Sequence, residues 1–155
     1  LFNFSRRNDI NINAAISDNE ENKTLYFVDE LNTQNTLEAN HLSFLKNHHN
    51  LKEEEISLQE IKTKRLDKIL DNYNYKNIDF MNIDVEGHEL NILNSIDFLK
   101  YNIKFICIEM IDHNDQAKLV NEKLNAILKK NDYALAKKID FNFIYKKIIK
   151  YDKKN

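Results

Sequence analysis

The sequence predicts an α/β fold with a mostly parallel sheet, and three observations carry that prediction. Residues 78–83 and 103–110 are short, nearly continuous apolar runs, the kind buried on both faces of a parallel sheet. Helical periodicity occupies the segments before, between and after them. Two further β-prone segments, 133–137 and 141–148, close the chain as an antiparallel pair. Strand, helix, strand, helix and then two strands is an α/β order.

From the N-terminus, Ile10, Ile12, Ala14 and Ile16 alternate with Asn11, Asn13 and Ala15, which predicts a strand over 10–16. The polar cluster 17–22 reads as a turn into a second strand, 23–28, paired with the first as a hairpin. Residues 29–36 read as a loop. Leu42 and Leu45 give 38–46 helical spacing, and the run Glu53, Glu54, Glu55 in the polar stretch after it faces water. Residues 56–62 read as extended. Thr63 is a suitable N-cap for a helix in which Leu66, Ile69, Leu70 and Tyr73 recur at i, i+3, i+4 and i+7. The helix over 115–130 sets Ala117, Val120, Leu124, Ile127 and Leu128 on one face. Lys129 and Lys130 occupy its last turn, where cations complement the helix dipole. The tail 150–155 reads as frayed.

The stretch 78–90 organises the chain. Ile78, Phe80, Met81 and Ile83 form the strand, Asp84, Val85, Glu86 and Gly87 turn it, and Leu90, Ile92, Leu93 and Ile96 continue at helical spacing. Gly87 is the only glycine in the chain. It therefore marks a place where a side chain does not fit, through a tight turn or a close backbone approach. With glycine used once and proline not at all, other turns fall to asparagine and aspartate, which tolerate left-handed backbone.

Composition excludes several classes. At 155 residues the chain is one domain with room for a core. Its net charge is −2, which argues against a nucleic-acid binder, whose affinity needs a basic surface. No apolar run approaches the roughly 20 residues of a membrane span, so no membrane partner is expected. The one cysteine, Cys107, sits in an apolar strand pattern and reads as a core residue, and a reducing cytoplasm fits it.

Asp84, Glu86, Gly87 and Glu89 spell an Asp-x-Glu-Gly-x-Glu turn between strand and helix. This turn and its flanks resemble the core of FkbM-type S-adenosylmethionine-dependent methyltransferases. The likeness continues through Asn13 to Asp18, Lys23 to Phe27, Asn35 to Leu37, Leu66 to Leu70, Phe105 to Glu109 and Asn142 to Tyr145, so it covers nearly the whole chain. It implies a Rossmann-like, doubly wound class I methyltransferase sheet, seen here in its second half. It also implies a glycine-rich cofactor loop and a ribose-binding acid, and neither is in these residues. The expectation is a truncated catalytic domain, inactive by itself, whose strands at 10–16 and 78–83 each expose an edge.

Asp84 and Glu86 flank the turn, and their functional reading is that they face the methyl donor and acceptor; His113 follows the strand at 103–110, a place that also faces the crevice, and is read as a base. Capping the next helix and complementing its dipole are the structural alternatives for Asp84 and Glu86, and plain solvation is the alternative for His113. Ala15, Ile16, Ser17 and Asp18, in the loop after the first strand, would flank the adenine of S-adenosylmethionine, or form an ordinary turn. Gly87 joins them as a cofactor contact. Asp84 and Glu109 end adjacent strands and offer oxygen ligands for Mg²⁺, or Glu109 is simply a hydrogen-bonded crevice residue. The expected reaction is O-methylation of a hydroxyl on a glycan or secondary metabolite. The competing readings are a non-catalytic scaffold that binds a partner along its open edges, and a divalent-metal hydrolase built from Asp84, Glu86, Glu109 and His113.

Overall fold

The computed structural model describes residues 8–28, 35–49, 51–112 and 114–149. Two mixed sheets hold the strands. The first contains β1 (Ala15–Ile16), β2 (Asn22–Phe27) and β3 (Ser57–Lys64) in the order β1-β3-β2. The second contains β4 (Asn77–Ile83), β5 (Asn102–Glu109), β6 (Tyr133–Ile139) and β7 (Asn142–Lys147) in the order β4-β5-β7-β6. Helices α1 (Ala39–His49), α2 (Leu66–Tyr73), α3 (Glu89–Asn94) and α4 (Asp115–Lys130) connect them. The α/β class holds, but the mostly parallel sheet does not. Among the described residues, β1 with β3 and β4 with β5 are the parallel pairs, and the other three pairings are antiparallel.

Three local expectations are corrected. The strand expected over 10–16 shrinks to β1, and Ile10 and Ile12 stand exposed, since alternation without a neighbouring strand has no ladder to join. The expected hairpin is absent because β3 lies between β1 and β2: Asn22 faces Lys62 and Phe27 faces Ser57. Thr63 does not cap α2. It is a fully buried β3 residue whose hydroxyl donates to Asn19 O at 2.7 Å and accepts from Glu21 N at 3.1 Å. Arg65 is the N-cap instead, and it lends no side-chain bond to the helix.

The asparagine and aspartate turns are as expected. Asn74, Asp132 and Asp140 have φ of 55°, 64° and 50°, the left-handed region these residues tolerate. Asn74 ends α2 in this way. Asn114 caps α4, its Oδ1 accepting from Ala117 N at 2.8 Å.

The core lies between the second sheet and α3 and α4. Ile103, Ile106 and Ile108 of β5 pack with Leu93, Leu124, Leu128, Tyr133 and Tyr145. Each such aliphatic side chain contributes about 1.5–3 kcal/mol relative to exposure. Cys107 is buried here, and burial raises its thiol, consistent with a core role. Because β5 is paired along both edges, with β4 and with β7, its C-terminal residue Glu109 is held next to the end of β4. No helix among the described residues is long and apolar enough to cross a membrane.

Candidate active site

The β4–α3 turn is built by its own acidic residues. Ile83 ends β4 in the core, and the next residue, Asp84, is exposed. Glu86 and Gly87 then both take positive φ, 53° and 95°. Glu89, 5% exposed, folds back so that Oε1 accepts from the backbone N–H of Val85 and of Gly87, each at 3.2 Å. Burial pushes the Glu89 carboxyl up, and these backbone donors oppose the shift. Glu89 therefore closes the turn, and the residue at the N-cap of α3 is His88, not the Asp84 that the sequence offered as a cap.

Helix α1 docks against this turn through reciprocal histidine–glutamate pairs. His41 Nε2 meets Glu86 Oε2 at 2.9 Å, and His88 Nδ1 donates to Glu38 Oε1 at 2.6 Å. Thr36 Oγ1 donates to the Glu86 carbonyl at 2.6 Å. The other nitrogen of His88 lies 3.0 Å from the hydroxyl of the fully buried Ser17. Gly87 makes the approach possible: a Cβ there would sit 3.0 Å from His41 Cβ and 3.1 Å from its Cγ. A tight turn and a close approach both apply to the chain's only glycine.

Where α1, the turn, the end of β5 and the start of α4 converge, a cleft of about 310 Å³ opens. Glu38, His41, Glu89 and Glu109 are among its polar lining residues, with Gln116 and Asn121 of α4, and Ile111, Ala117 and Val120 are its apolar ones. Glu109 is half-buried, and its carboxylate has no hydrogen-bond or ion-pair partner among the described residues. Burial pushes it up to about 7, and the charges of Asp84, Glu86 and Glu89 push the same way, while His41 opposes them. Asp84 is also raised, first by local desolvation and then by Glu86. The result is a carboxyl poised near neutrality, facing a cavity, beside several others.

The FkbM methyltransferase domain description matches residues 1–135. The chain belongs to the FkbM methyltransferase family. Comparison with curated proteins and with solved structures returned no significant match.

Within this FkbM domain the expected site residues divide. Gly87 and Glu109 line the cleft, with Asp84 and Glu86 close enough to raise Glu109. His113 lies outside the described residues. Ala15, Ile16, Ser17 and Asp18 do not line the cleft. Ser17 is spent on His88 and Asp18, and Asp18 Oδ1 accepts from Asn91 at 3.1 Å. Burial would raise Asp18, but the bonds from Asn91 and Ser17 outweigh it and hold the carboxyl below the ordinary range. No group of three or more His, Cys, Asp or Glu side chains among the described residues has the arrangement to hold a metal ion. Asp84 and Glu109, the pair expected for Mg²⁺, lie close enough for the Asp84 charge to raise Glu109.

Sequence reasoning missed Glu38, His41 and His88. Their partners lie 45, 50 and 71 residues away along the chain, so no local pattern marks them. Replacing His88 with Ala leaves the buried Ser17 hydroxyl and the Glu38 carboxylate without their ring partner. The expected loss is about 1–3 kcal/mol, read as a lower urea midpoint at unchanged slope.

Proposed function

We propose that this FkbM domain serves S-adenosylmethionine-dependent O-methylation of a hydroxyl on a glycan or secondary metabolite, and that the cleft takes the acceptor. The observation that carries the reading is Glu109: an unpartnered carboxyl facing the cleft, with a value of about 7. A general base works best when its pKa lies near the operating pH. The acceptor hydroxyl would lie against Glu109, which would accept its proton as the oxygen–methyl bond forms and the methyl–sulfur bond of the sulfonium donor breaks, S-adenosylhomocysteine leaving as the neutral thioether. The rigid ends of β4 and β5 fix the angle of approach, because methyl transfer is largely a positioning problem. Ile111, Ala117 and Val120 supply the apolar face against which an acceptor ring packs.

The donor's seat is a separate matter. The family resemblance calls for a glycine-rich turn, and the one glycine present is committed to admitting His41. The order β4-β5-β7-β6 supports reading the second sheet as half of a doubly wound methyltransferase sheet, within one domain. The test is methyl transfer from labelled S-adenosylmethionine by the full-length gene product across a panel of hydroxyl acceptors, with and without added Mg²⁺. Incorporation into an acceptor is expected. Hydrolysis that requires a divalent ion and no donor would overturn the reading.

A further inference from the structure

His41 lies outside the signature turn, yet among the residues lining the cleft it is the one that can carry positive charge. Glu38 of the same segment, Glu89 of α3 and Glu109 of β5 line the cleft with it, and Glu86 of the turn pairs with it at 2.9 Å. Asp84, just after the end of β4, adds to the negative field at Glu109. The imidazole reaches this position only because residue 87 lacks a side chain.

We propose that His41 is the positioning residue of this carboxylate cluster: it holds Glu86 in place and acts as the cluster's counter-charge, keeping Glu109 able to accept a proton. Gly87 exists to admit it. The proposal rests on the reading of Glu109 as the base, but its test does not need turnover. Opposite charge nearby favours the ionised carboxyl, so removing the imidazole must raise the pH at which Glu109 ionises.

The experiment follows the Glu109 side-chain carboxyl by carbon NMR through a pH titration of the wild type, His41→Asn and His41→Lys. Asn keeps a hydrogen-bond donor and loses the charge, and Lys keeps a charge at every pH used. The midpoint is expected to rise by roughly half a pH unit or more in His41→Asn and to return to or below the wild-type value in His41→Lys. A merely structural role would move both variants the same way or neither. Either of those results overturns the proposal, while leaving the methyltransferase reading to be judged by the transfer assay. If transfer is observed, the acid limb of its pH profile moves to higher pH in His41→Asn.

Discussion

Glu109→Gln in the full-length protein is expected to lower methyl transfer by roughly a hundredfold or more, the scale of a lost general base, while making the protein more stable at alkaline pH. The two effects share one cause. Glu109 has an ordinary value of 4.5 that the folded environment raises to about 7. Between those values the folded protein retains a proton that the unfolded chain has released. Stability falls as pH rises wherever the folded state binds more protons, so the wild type weakens through this window and carries the full penalty above about pH 7. Glutamine cannot ionise and is free of it. The variant should therefore match the wild type at about pH 4.5 and exceed it by about 1–3 kcal/mol at about pH 8. Urea unfolding at the two pH values, together with the labelled-donor assay, reads both consequences. A variant that loses activity with no alkaline gain in stability would show that Glu109 is not held near neutrality. A stabilised variant with turnover within a fewfold of wild type would remove Glu109 as the base.

Gly87→Val is the second large effect, and it acts on folding. Two costs combine at this residue. Its φ of 95° is a backbone conformation that side-chain-bearing residues rarely adopt, and holding one there costs on the order of 1–3 kcal/mol. Its Cβ would also sit 3.0 Å from His41 Cβ, an atom fixed to the α1 backbone that cannot swing aside like the tip of a long side chain. Overpacking of this kind costs about 1–3 kcal/mol. A total loss of about 2–6 kcal/mol is expected, with β-branched valine worse than alanine. Thermal melting of Gly87→Ala and Gly87→Val measures this. Wild-type midpoints in both variants would mean that α1 yields freely and that the glycine is incidental.

Much of the architecture is local and was legible in the residues. The apolar runs that became β4 and β5 and the periodic faces of α2 and α4 declare themselves because burial periodicity is a property of a few consecutive side chains. The same is true of the left-handed turns at Asn74, Asp132 and Asp140, where the residue type itself tolerates positive φ. The signature turn, and the need for glycine within it, could also be read from Asp84 to Glu89 alone.

Tertiary structure decided the remainder. Strand partners were open because alternation states that a segment can pair, not with which strand: β2 joined a strand some thirty residues further on and left Ile10 and Ile12 without a neighbour. Thr63 suits a helix cap and a buried strand equally, and the backbone groups of Asn19 and Glu21 settled the choice. Above all, the character of the cleft was not local. Glu109 is an ordinary glutamate until β5 buries it and β4, the turn and α3 bring Asp84, Glu86 and Glu89 to it, with His41 arriving from α1 in opposition. Its proton affinity is a sum over charges from distant segments and over the water that folding removes, so it comes into being only when those segments meet.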